Sequence, residues 1–108
     1  MQTNFRAAAM AKSLYQQCTQ LSTKGAIKDQ LERASLSVYL NLVEGSAKPT
    51  KRDKSKFYSI SLGSVREVQA ILDLINAKKE FELADQLGAV IYCLIRSQNS
   101  GHRSHLPD

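Results

Sequence analysis

Five cations crowd into the stretch from Ser46 to Lys56. Lys48, Lys51, Arg52, Lys54 and Lys56, offset only by Asp53, give it net +4 out of the +5 carried by all 108 residues. Ammonium and guanidinium groups at this density neutralise a polyanion, and the attraction needs no base reading and weakens with salt. Arg66 is a candidate sixth contact. The stretch has almost no aromatic residue for base stacking: only Phe57 and Tyr58 adjoin it, and both fit a core or an interface better. Sequence-specific recognition of a single strand is therefore not expected.

Other chemistries find little support. No expected helix contains a histidine, so the Glu-x-x-His pairs of a di-iron bundle are missing, as are a Gly-rich phosphate loop, a nucleophile elbow and a Cys-x-x-Cys pair. His102 and His105 have helical ligand spacing but stand in a Gly/Ser/Pro-containing tail without a third ligand. Glu44 and Glu67 fall at different levels of the expected fold, which does not suit an acid/base pair. The expectation is a protein without enzymatic activity, metal or cofactor.

Length and composition fit one domain. At 43% apolar residues the chain is not disordered, and no apolar run approaches the roughly 18 residues of a membrane span. Arg6 and Lys12 lie in an alanine-rich amphipathic pattern, unlike a signal peptide, so a cytoplasmic location is expected. Cys18 and Cys93 are expected to be buried thiols in a reducing compartment.

The elements that must position the cations are four helices and no strand. Helix 1 is expected from about Phe5 to Leu21, with Ala7, Ala11, Leu14, Cys18 and Leu21 on one face. Helix 2, from about Ile27 to Glu44, carries Ile27, Leu31, Ala34, Val38 and Asn41 or Leu42. Gly45 should take a left-handed conformation just past its end. Pro49 marks the connection, and Thr50 with Asp53 has capping-box spacing for helix 3, which runs to about Ala77 along a stripe of Phe57, Ser61, Ser64, Val68, Ile71 and Ile75. Helix 4, from about Glu82 to Gln98, carries Leu83, Leu87, Val90 and Leu94. Short turns make this an all-α, antiparallel up-down-up-down four-helix bundle over residues 1–98, with a flexible tail over 99–108.

Helices 2 and 3 hold more apolar surface than one core uses. Leu36, Tyr39, Leu40 and Val43 form a second stripe on helix 2, and Tyr58, Leu62, Val65 and Leu72 form one on helix 3. A helix apolar on two sides is usually buried on two sides, so a homo-oligomer joined through these stripes is expected. Packing of both stripes within one wide-faced bundle is the alternative.

Four polar residues inside the pattern, Asn41, Glu44, Ser64 and Glu67, suit a half-buried network that fixes helix register. Paired positions on helices 2 and 3 should add to about 98, give or take four, which sets Ser64 near Ala34 and Glu67 near Gln30 or Arg33. Gly63 fits a close helix approach, and Glu44 should be compensated by Ser55, Lys51 or Lys54.

Asn41-Leu42-Val43-Glu44-Gly45, the basic turn, Gly63-Ser64-Val65-Arg66-Glu67 and the lead-in Gln30-Leu31-Glu32-Arg33-Ala34-Ser35-Leu36-Ser37 resemble the motifs of the bacterial four-helix bundle proteins encoded by intervening sequences in 23S rRNA genes. That family is similar to the accessory variability determinant of diversity-generating retroelements, though this chain is less strongly basic. The resemblance spans about residues 5 to 97. It implies a cytoplasmic bacterial bundle, assembly into a ring, typically a pentamer, and association with nucleic acid or a nucleoprotein partner. Two functional readings stay open: a ring that binds RNA or DNA backbone through the basic turn, and a protein-interaction scaffold whose lysines only keep a turn solvated.

Overall fold

The computed structural model describes residues 3–103, with side chains described from 5 to 99. Four helices follow one another: α1 (Thr3–Gln20), α2 (Gly25–Ser46), α3 (Lys51–Leu74) and α4 (Lys78–Arg103). They form a four-helix bundle. α1 packs on α2 and α4, α3 packs on the same two, and the diagonal pairs have no Cα atoms within 8 Å among the described residues. The result is a rod of 52 × 24 × 24 Å.

Cross-helix contacts fix directions. Along α2 and α3, Arg33 meets Glu67, Ser37 meets Ser64, Val38 accepts from Ser61 and Gly45 faces Tyr58. One number rises as the other falls, so these helices are antiparallel. Gln69 with Asp85 and Arg66 beside Gly88 show the same for α3 and α4. The α1–α2 and α3–α4 turns share one end of the rod, where Leu21, Thr23, Ile27, Ile75 and Ala77 line one open depression. The basic α2–α3 turn is therefore at the other end, together with the start of α1 and the last turns of α4.

The core follows the helical period. Ala7, Ala11, Leu14 and Cys18 of α1 are buried, as are Leu31, Ala34, Val38 and Leu42 of α2. Leu21 and Ile27, at the turn, are only half-buried. On α4 the buried line is Ala84, Leu87, Ile91 and Leu94; Leu83 and Val90 flank it.

α3 differs from the single stripe expected. Its buried residues are Tyr58, Ser61, Ser64, Val65, Val68, Gln69 and Leu72, a face that straddles both expected stripes. The reason is that α3 packs on two neighbours and presents a wide arc to them. Tyr58, Val65 and Leu72 belong to this chain's own core, at 1%, 0% and 0% exposure, rather than to an outer stripe. Leu62 is half-buried against that core. Phe57, Ile71 and Ile75 lie at its edge, half-buried.

Helix ends moved by a few residues, with identifiable causes. α3 stops at Leu74 rather than Ala77 because Asn76 adopts φ 59°, and the amides of Ala77 and Asn76 donate to the carbonyls of Leu72 and Asp73. That is a Schellman ending built on asparagine. α4 starts at Lys78 and continues through Asn99 to Arg103, so this part of the expected tail is helical. The side chain of His102, all of His105 and the rest of residues 104–108 lie outside what the structure describes. Cys93 is exposed, contrary to expectation, because it falls on the outer face of α4; Cys18 is buried, and both thiols are free.

Gly45 does not end α2. It lies inside the helix, buried, and the ending is made at Ala47 with right-handed φ −87° and ψ −9°. The glycine is required for contact: a Cβ there would stand 2.8 Å from Tyr58 Cε1 and 3.1 Å from Phe57 Cβ. Gly63, expected at a close approach, is exposed with open space around it.

Candidate nucleic-acid interface

The basic turn is shaped by its two helix ends. α2 exposes carbonyls at Ser46, and the Lys54 ammonium donates to the Ser46 carbonyl at 2.9 Å. A cation there also suits the negative end of the helix dipole. Lys48 pairs with Glu44 at 3.0 Å and lies 5.0 Å from the centre of the Phe57 ring. Glu44 is thus compensated by Lys48, just past the end of its helix, and not by Ser55, Lys51 or Lys54. The pair is solvent-exposed and worth little to stability. Two of the five cations therefore serve the turn itself.

The other three do not. Lys51, Arg52 and Lys56 are exposed, and none has a hydrogen bond or ion pair with a described residue. α3 begins with Thr50, whose hydroxyl accepts from the Asp53 amide at 3.1 Å. Lys51 and Arg52 occupy its first turn, at the positive end of the dipole, with Asp53 the acidic residue there. Cations at a helix N-terminus cost roughly 0.3–1 kcal/mol each where anions would gain it. This end of the bundle is electrostatically unsatisfied, and an anion would satisfy it.

The fold enlarges the patch. Arg6, in the first turns of α1, is at the same end, as is Arg96 near the end of α4. Glu44 and Asp53 are the acidic residues described there, whereas toward the other end Asp29, Glu32, Asp73, Glu80, Glu82 and Asp85 offset the bases. The charge surplus is thus polar along the rod. Sequence reading missed Arg6 and Arg96 because they are far from the turn in the chain; counting helices and alternating their directions would have found them.

Arg66 is not in the turn. One guanidinium nitrogen donates to Gln69 Oε1 at 2.7 Å, and Gln69 Nε2 donates to Asp85 Oδ1 at 3.2 Å, which sets Arg66 on the α3–α4 side, about 15 Å from Lys56 along α3.

Of the four polar residues expected in a half-buried register network, Asn41 and Ser64 form one through Ser37, whereas Glu44 and Glu67 are exposed. Asn41 Nδ2 donates to the carbonyl and hydroxyl of Ser37 at 2.9 and 3.1 Å, and the Ser37 and Ser64 hydroxyls are 2.7 Å apart. Ser64 thus meets Ser37, just under a turn along α2 from Ala34. Glu67 pairs with Arg33, whose Nε also donates to Gln30. Ser61 donates to the Val38 carbonyl at 2.8 Å, so small hydroxyl residues tie the two backbones together.

The second stripe of α2 remains on the surface. Leu36, Leu40 and Val43 are 39%, 52% and 42% exposed, Tyr39 is half-buried, and Ile60 of α3 adds an exposed side chain at 44%.

A family model described as 23S rRNA-intervening sequence protein matches residues 2–86. The chain belongs to that family. The match takes in the Asn41–Gly45 segment, the basic turn and the Gly63–Glu67 segment of this 23S rRNA-intervening sequence protein, and stops within α4. No curated protein and no solved structure matches the chain. Among the described residues no group of His, Cys, Asp and Glu could hold a metal ion, and no helix is long and apolar enough to cross a membrane.

Proposed function

We propose that this 23S rRNA-intervening sequence protein is a non-enzymatic, oligomeric bundle that binds RNA or DNA backbone without reading sequence. Lys51, Arg52 and Lys56 make the contacts, and Lys48 and Lys54 hold the turn that presents them. The observation that carries the reading is that three exposed cations without partners among the described residues gather at the positive end of α3. Phe57, half-buried beneath Lys48, and Tyr58, buried, leave no base platform in the turn itself.

Oligomerisation is supported by the exposed Leu36, Leu40 and Val43, spaced four and three residues apart on one outer line of α2. A second copy would cover them. A ring of several copies, five by family resemblance, would multiply the cationic ends and with them the number of neutralised phosphates. The same stripe suits the second reading, a protein-interaction scaffold without a nucleic-acid role. The unpaired cations favour the first.

Gel retardation of unrelated RNA and DNA fragments across a salt series tests it. The first reading expects binding at low salt with log affinity falling linearly in log salt. No retardation at the lowest salt would leave the scaffold reading.

A further inference from the structure

Tyr92 is the aromatic side chain that the basic turn lacks. It stands on α4, 51% exposed, with the Arg96 guanidinium 6.0 Å from its ring centre. An exposed tyrosine on a helix is ordinary taken alone. Its place among cations from two helices is what distinguishes it.

Asp85, Tyr92 and Arg96 are seven and four residues apart, so they share one line along α4. Asp85 accepts from Gln69 of α3, which turns that line toward the outer seam between α3 and α4. On α3, Arg52, Ser59 and Arg66 recur every seven residues and share a line as well. Arg66 reaches across to Gly88 and bonds to Gln69, so its line faces the same seam. Because the helices are antiparallel, the seam runs from Arg66 past Tyr92 and Arg96 to Arg52 at the basic end. From Arg66 to Arg52 it covers about 21 Å at 1.5 Å per residue. Arginine, tyrosine, arginine, arginine is the alternation that binds a single strand: guanidinium groups follow the phosphates while an aromatic ring takes a base.

Charge complementarity commits the seam to a polyanion, and the exposed ring commits it to one with free bases. We infer that the α3–α4 seam binds single-stranded nucleic acid, with one base stacked on Tyr92 and phosphates on Arg52, Arg66 and Arg96. The inference rests on the nucleic-acid reading above and names its substrate class. Tyr92 and Arg96 lie beyond residues 2–86, so the family match does not supply it. Gly88 belongs to the same arrangement. A Cβ there would stand 3.2 Å from an Arg66 guanidinium nitrogen, so the glycine gives Arg66 room to lie across α4.

Fluorescence anisotropy with three labelled ligands tests it: an oligouridylate, an abasic ribose-phosphate oligomer of equal length, and a duplex RNA of equal charge. The oligouridylate should bind about 5- to 150-fold more tightly than the abasic oligomer, the range for one stacked base. Tyr92→Ala should abolish the preference for the oligouridylate over the abasic oligomer, whereas Tyr92→Phe should keep the preference. Equal affinities of wild type for the base-bearing and abasic strands would overturn the stacking seam while sparing the phosphate reading. So would duplex binding as tight as oligouridylate binding, or a Tyr92→Ala variant indistinguishable from wild type. Absence of binding to all three ligands would overturn both.

Discussion

The ring of Tyr58 occupies the space where Gly45 would carry a side chain: a Cβ built on Gly45 comes within 2.8 Å of Tyr58 Cε1 and 2.9 Å of Cδ1. Tyr58 is 1% exposed, and burial raises its phenol pKa. The ring cannot move aside without disturbing the core. This contact brings the end of α2 against the start of α3, and so places the cationic turn.

Two glycine-to-alanine substitutions should therefore have opposite signs. Gly45→Ala gains helix propensity, about 1 kcal/mol, but forces the Tyr58 ring to shift, which costs about 1–3 kcal/mol. Gly63→Ala meets nothing within 4 Å and should stabilise by up to about 1 kcal/mol. Urea denaturation of both variants checks this; stabilisation by Gly45→Ala would mean the Tyr58 contact is loose.

The two thiols should behave differently. Burial, with a smaller contribution from Glu80, pushes the Cys18 thiol up to about 12 from 9.0, while a hydrogen bond with Ser35 opposes the rise. A folded pKa above the unfolded one means that the unfolded chain loses its proton first. Stability from this group is whole below about pH 9 and is lost as pH rises toward 12. Wild type should lose stability more steeply over that window than Cys18→Ala, as read by thermal melts at a series of pH values. A thiol reagent at neutral pH should modify exposed Cys93 quickly and Cys18 only on unfolding.

Leu40→Asp places a charge in the middle of the exposed α2 stripe, at a residue already 52% exposed in one chain. Folding should be nearly unaffected, with circular dichroism unchanged, while light scattering shows a smaller particle than wild type. An unchanged mass would remove α2 from the interface.

Much of the fold was legible because α1 and α2 each bury one narrow apolar line. Ala7, Ala11, Leu14 and Cys18, then Leu31, Ala34 and Val38, were read from spacing and are buried, and of Asn41 and Leu42 it is Leu42 that is buried. α3 resisted because a helix wedged between two neighbours buries a broad arc, and periodicity divides that arc into two stripes. Gly45 was misread because a glycine near a helix end has two physical uses, a left-handed turn or a close contact, and sequence does not separate them. The basic turn was legible as a charge run. That Lys48 and Lys54 are engaged, and that Tyr92 and Arg96 line a seam leading to the turn, depends on contacts between residues far apart in the chain.

The central claim is that the cationic end of the rod, not the overall charge, holds nucleic acid. Binding to one RNA should be measured across a salt series for two triple variants of equal net charge. Lys51→Glu, Arg52→Glu and Lys56→Glu should abolish retardation or lower the salt slope by roughly one per residue. Lys24→Glu, Lys78→Glu and Lys79→Glu, at the opposite end, should leave binding close to wild type. Equal losses in the two variants, or no loss in the first, would contradict the account.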